Sequence, residues 1–173
     1  MKILLGKVKG SRVRLVPEIP NLKPLEQWIC DSCAQVIDQA DQGWLELIRD
    51  GDRRLTALRI VHHASASPRG MAGCSNSDAN AGLHLDSVLG SDGLTYLLSL
   101  VDTGVMHGAE AQSEIDPASM RAWTDAVRRL HTPHFEEARF FIKEGARTRA
   151  FTANPVSPYT QQALHDIISE HNS

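Results

Sequence analysis

Apolar positions in the first third of the chain recur with the two-residue period of strands, and after residue 90 they recur with the period of helices. Residues 2–8 and 12–16 read as short strand-like runs around a Lys9-Gly10-Ser11 turn. Pro17, Pro20 and Pro24 then mark a connector that cannot stay helical for long. Residues 43–48 and 55–61 flank Asp50-Gly51-Asp52, whose Asp-Gly pair accepts the positive φ of a tight turn, so a hairpin is expected there. Small and polar residues dominate from 64 to 82. That stretch is an ordered loop only if something ties it down.

Behind the loop, Ser91 or Asp92 can cap a helix carrying Leu94, Leu97, Leu98 and Val101 and ended by Gly104. Asp116-Pro117 opens a second helix with Met120, Trp123, Ala126, Val127 and Leu130 along one face. Thr132-Pro133 opens a third, in which Glu136 and Glu137 suit the positive end of the helix dipole and Ala138, Phe141 and Ile142 form the stripe. Ser157-Pro158 opens a fourth, with Tyr159, Leu164, Ile167 and Ile168 as contacts. The expected fold class is α+β: a β-hairpin front over residues 1–82 and about four helices over residues 83–173, packed as one compact unit.

Composition narrows the class without changing this outline. With 173 residues, 42% hydrophobic and 23% charged, the chain is neither collagen-like, nor a coiled coil, nor disordered, and it can bury a core without a staple. No apolar run reaches the length of a membrane span, and the opening apolar run is too short for a signal peptide. The formal net charge of −3 hides an uneven distribution. Residues 1–24 carry six basic groups against one acidic, whereas residues 25–119 carry five against fourteen. Overall acidity argues against non-specific nucleic-acid binding, which rests on phosphate neutralisation, although the basic N-terminal strands leave a local contact open.

Three cysteines are too few and too odd in number for a disulfide framework, and they suit a reduced, cytoplasmic protein. Cys30-Asp31-Ser32-Cys33 is a C-x-x-C turn that follows a short strand at Trp28-Ile29. Cys74 lies near the end of the small-residue loop, and His62 and His63 end the hairpin between them. These residues make a Cys3His set that uses every cysteine in the chain and has the ligand types zinc takes in closed tetrahedral sites. Strand parity allows only one of the two histidines to face the metal. Leu58, Ile60 and His62 share one face, and Ala57, Arg59, Val61 and His63 the other. The mixed face is expected to look outward toward the knuckle, which selects His63, with His62 as the alternative.

The arrangement resembles zinc-ribbon and treble-clef-like sites over about 45 residues. It departs from their usual pattern in one place: Ala34 stands where such a knuckle commonly has glycine. The expected metal ligands are therefore Cys30, Cys33, His63 or His62, and Cys74, holding Zn2+. Inert buried cysteines and a redox dithiol are the competing readings. The redox reading needs Cys30 at the N-terminus of a helix spanning residues 34–40. His131-Thr132-Pro133-His134, with Glu136 and Glu137 close by, is a weaker metal or acid–base set, because cap chemistry and the helix dipole explain the same residues.

A full Cys3His set leaves no open position for water, which favours a structural site. The expected function is a non-enzymatic, zinc-stabilised binding or accessory protein that presents a helical surface to a protein partner. The alternatives are a metal-dependent or thiol-redox enzyme using the C-x-x-C, and a nucleic-acid-binding regulator using the basic N-terminal strands.

Overall fold

The structure is a computed structural model that describes residues 20–51, 55–70, 73–75, 81–101, 117–145 and 157–172. These residues form two small antiparallel sheets and four α-helices, the α+β class expected from the sequence. The expected strands at 2–8 and 12–16, the Asp116 cap and the Gly104 helix end lie outside the described residues.

Trp28–Ile29 (β1) pairs with Val36–Ile37 (β2) to make the smaller sheet. In the larger one, Gly43–Arg49 (β3) lies between Leu55–His62 (β4) and Ala81–His84 (β5). The β3–β4 hairpin pairs the two runs expected to pair, with Leu45 opposite Ile60 and Leu47 opposite Leu58, although Gly51 between them does not take the positive φ expected of it. Strand β5 forms where the loop was expected to be ending. It pairs Trp44 with His84 and Glu46 with Gly82. A Cβ at Gly82 would collide with the Trp44 indole, so glycine is what lets β5 pass beneath that ring.

Period-two alternation sends Leu45, Leu47 and Ile60 into one buried cluster. That cluster also takes in Trp28 and Ile37 from the smaller sheet, Leu85 and Val88 from a 3-10 turn at Leu85–Val88, Leu97 from helix α1 (Gly90–Ser99) and Leu130 from helix α2 (Pro117–His131). Each such side chain, fully buried, contributes roughly 1.5–3 kcal/mol of transfer free energy. A second cluster, built on Phe135, Ala138 and Leu164, joins helix α3 (Phe135–Gly145) to helix α4 (Gln161–Asn172).

Helix starts differ in detail from their cap signals. Pro117 takes the first helical position as expected. Helix α1 starts at Gly90, and neither Ser91 nor Asp92 caps it; Leu89 takes the cap position without a side-chain bond. Helix α3 starts at Phe135, after a turn in which His134 takes φ 63°, and Ser157–Tyr159 is a 3-10 turn ahead of α4. Among the described residues no helix is long and apolar enough to cross a membrane.

Candidate metal centre

The β1–β2 ribbon is a knuckle built around the C-x-x-C. The Cys30 amide donates to the Gln35 carbonyl (2.9 Å), and the Ala34 amide donates to the Cys30 carbonyl (2.9 Å). Turning the chain this tightly puts Ala34 at φ 59°, the left-handed region where a Cβ is penalised. The position that departs from the knuckle pattern in sequence is thus the one whose backbone asks for glycine.

The knuckle docks on the free edge of β4 through two bonds of Asp31. Its amide donates to the Ile60 carbonyl (2.8 Å), and its carboxylate accepts from the Ile60 amide (2.8 Å). This edge-to-edge register sets Cys30 and Cys33 beside the last residue of β4, which is His62.

Cys30, Cys33, His62 and Cys74 come together, with one ligand atom from each lying within 4.8 Å of all the others. His62 Nδ1 is 3.5 Å from the Cys33 sulfur and 3.8 Å from the Cys74 sulfur. Its other ring nitrogen, Nε2, lies 3.1 Å from the Val36 carbonyl. A carbonyl only accepts, so Nε2 carries the proton and the lone pair of neutral His62 sits on Nδ1, aimed at the three sulfurs. Cys30, Cys74 and His62 are buried and Cys33 is half-buried. The loop that brings Cys74 is held by Ser67, whose hydroxyl is 3.2 Å from that sulfur. Arg69 holds it too, donating to the Ser32 hydroxyl (3.2 Å) and carbonyl (2.8 Å).

The sequence preference for His63 is corrected by this geometry. The knuckle sits on the apolar face of the hairpin, with Ile60, because Cys30 and Cys74 are themselves part of the main buried cluster. His63 points to the opposite face. There its ring packs at a tilt against Trp44 (5.6 Å between centroids) and His84 (4.8 Å) and is 2.8 Å from the Ser65 hydroxyl.

Burial pushes the Cys30 thiol up, but hydrogen bonds from the Cys33, Ser32 and His62 amides, with the neighbouring His62 ring, outweigh it and bring it down to about 7. Cys33 is pushed up to about 11, by burial first and then by neighbouring Cys30 and Cys74, against the pull of the Gln35 amide. One thiolate forms readily here and a second beside it is disfavoured unless a cation joins them. The redox reading loses its structural basis, since residues 36–37 form strand β2 and Ala40–Gln42 a 3-10 turn where a helix was needed.

Four charged residues, Asp31, Arg129, Glu136 and Arg139, whose joint role the sequence did not reveal, anchor the knuckle from behind. Arg129 donates through Nη1 to Asp31 (2.6 Å), through Nε and Nη2 to Glu136 (2.7 and 2.9 Å), and through Nη2 to the Ile29 carbonyl (3.0 Å). Arg139 approaches Asp31 (3.4 Å) and Glu136 (3.1 Å). Glu136 also accepts from the Ile29 amide (3.0 Å), and the Trp28 indole donates to the Arg129 carbonyl (3.2 Å). Burial alone would lower the Arg129 proton affinity; the Glu136 and Asp31 carboxylates reverse this and raise it, so the guanidinium stays charged. Two cations and two anions balance, with Arg129, Glu136 and Arg139 buried and Asp31 at the solvent-facing rim. The partners stand about 100 positions apart in the chain, so no local pattern could have revealed them.

Of the weaker candidates, His131 contacts the Val88 carbonyl (3.1 Å) and His134 packs against His165. No family model, curated protein or solved structure matches this chain.

Proposed function

We propose that Cys30, Cys33, His62 and Cys74 hold a structural zinc ion, and that the chain is a non-enzymatic binding or accessory protein working in the cytoplasm. The observation that carries this reading is the His62 ring: Nε2 is committed to the Val36 carbonyl, and Nδ1 faces three sulfurs. Three thiolates and one imidazole form a closed tetrahedral set, the preference of zinc over harder cations. With all four positions filled by protein, no place is left for a reacting water. The ion joins the knuckle, the end of β4 and the Cys74 loop, and the Arg129 network ties the knuckle to α2 and α3. The helical surface offered to a protein partner includes Tyr96 and Leu98 on α1 and Met120 on α2, all exposed.

Metal analysis and chelation test the site. The protein purified without added metal should carry zinc in equimolar amount. Structural zinc sites hold the ion with roughly 10–16 kcal/mol, comparable to the whole stability of a domain, so a strong chelator should unfold the β front as it removes the ion. His62→Ala should abolish stoichiometric binding, while His63→Ala should leave it intact. Retention of zinc by His62→Ala, or full stability of the stripped protein, refutes a structural Cys3His site.

A further inference from the structure

The four ligands of the Cys3His centre are carried in different ways. Cys30 and Cys33 ride on the knuckle, which Asp31 clasps to β4 and Arg129 ties to α2, and His62 ends a strand. Cys74 arrives on a segment that is neither helix nor strand, and Cys33 is the one ligand that is only half-buried. A bound ion is lost one bond at a time, so release begins at the ligand on the loosest segment and at the ligand nearest solvent.

One short segment, Ser67-Pro68-Arg69, reaches both of these points. The Ser67 carbonyl accepts from the Gly70 amide (3.1 Å), and the Gly70 carbonyl accepts from the Gly73 amide (3.0 Å). Gly70 (φ 57°) and Gly73 (φ 60°) take the left-handed backbone of these turns at no steric cost. The chain folds back so that the Ser67 hydroxyl lies 3.2 Å from the Cys74 sulfur. That hydroxyl oxygen already accepts from the Arg69 amide (3.2 Å). A metal-bound thiolate only accepts, so toward Cys74 the Ser67 hydroxyl is the donor. At the other end of the segment, the exposed Arg69 guanidinium grips Ser32 with two prongs, on its hydroxyl (3.2 Å) and its carbonyl (2.8 Å). Ser32 immediately precedes Cys33. The segment thus bridges the Cys74 loop and the C-x-x-C without supplying a ligand.

We propose that Ser67 and Arg69 are positioning residues of the metal centre that set how slowly its ion is released: Ser67 by donating to the Cys74 thiolate, Arg69 by latching the loop to the knuckle at Ser32. This inference rests on the Cys3His reading and adds to it the control of metal exchange. Three thiolates on a divalent ion leave an excess of negative charge. A hydroxyl donor on one sulfur and a guanidinium fixed against the knuckle both favour that charge. Hydrogen-bonded neighbours of metal ligands typically change metal affinity by roughly 10–100-fold, although they never touch the ion.

The test uses the full chain loaded anaerobically with cobalt(II) and mixed with an excess of a neutral polypyridyl chelator. Decay of the thiolate-to-cobalt charge-transfer band gives the release rate, and a neutral chelator keeps the loss of a cation from altering its approach. Arg69→Gln and Ser67→Ala should each release cobalt about tenfold faster than wild type. Arg69→Lys, which keeps the charge and a single donor, should recover part of the difference. Ser67→Ala should also move the charge-transfer band to longer wavelength, because a sulfur stripped of its donor gives up electron density more easily. Arg69→Gln, acting through Ser32, should leave the band in place. Release within about twofold of wild type in either variant, or a band unmoved by Ser67→Ala, overturns this inference alone. A wild-type chain that develops no charge-transfer band overturns the Cys3His reading and this inference with it.

Discussion

Replacing Arg129 with methionine removes the residue that makes the shortest bonds to both the knuckle and the start of α3. Four hydrogen bonds of 2.6–3.0 Å disappear, to Asp31, to both oxygens of Glu136 and to the Ile29 carbonyl. Removing one partner of a buried ion pair typically costs about 3–5 kcal/mol, because the partner left behind, here the buried Glu136, stays charged and dry, whereas Asp31 reaches solvent. Arg139 remains 3.1 Å from Glu136 and 3.4 Å from Asp31 and neutralises part of the stranded charge, which places the expected loss near the lower end, about 3 kcal/mol. Urea unfolding of the metal-loaded protein, followed by tryptophan fluorescence, measures it directly; the Trp28 indole donates to the Arg129 carbonyl and reports on this joint. Adding Glu136→Gln removes one stranded anion, so the double variant should lose at least about 1 kcal/mol less than the sum of the two single losses. A loss below about 1 kcal/mol for Arg129→Met, or strict additivity in the double variant, would refute the argument that this network joins the two halves.

Ala34→Gly should stabilise the protein by about 1 kcal/mol, since it relieves a left-handed residue at φ 59°, less the entropy glycine adds to the unfolded chain; thermal melts with metal bound check the sign. Burial holds His131 below its ordinary range against the favourable Val88 carbonyl, while the unfolded residue titrates near about 6.5. Protonation therefore favours the unfolded chain, and the stability from neutral His131 is complete above about pH 6.5 and is lost as pH falls through the lower folded value. His131→Gln should accordingly lose less stability than wild type between about pH 7.5 and about pH 5.5 in paired melts, and an equal loss would contradict this.

Much of this architecture is written locally in the chain. Two alternating runs on either side of Asp50 and Gly51 specify the β3–β4 hairpin, and Pro117 marks where α2 begins. The C-x-x-C spacing defines a knuckle by itself, because a turn of that length brings both sulfurs to one side. Cys74 joined the set from spacing and residue economy alone. What stayed hidden depends on tertiary placement. Parity separated His62 from His63 but could not say which face of the hairpin receives the knuckle, and here the apolar face does. The Asp31–Arg129–Glu136–Arg139 network joins segments that only the folded chain brings together. Strand β5 was obscured because Ala81 and Gly82 read as loop, although Gly82 is the residue that fits beneath Trp44.

The adjacent histidines at the end of β4 have a consequence for how faithfully the hairpin forms. A slip of one residue in strand pairing turns every side chain to the opposite face. In this hairpin, such a slip would exchange His62 for His63, so the cysteines would still meet an imidazole. An ion at the Cys3His centre is therefore a poor judge of register: either alignment can offer it a fourth ligand. The burden of choosing falls on Ile60, fully buried opposite Leu45, and on Asp31, which clasps the Ile60 backbone from the open edge. In a protein built this way, the hydrocarbon face proofreads the strand, and an ion bound at the cysteines would seal whichever pairing the core has already selected.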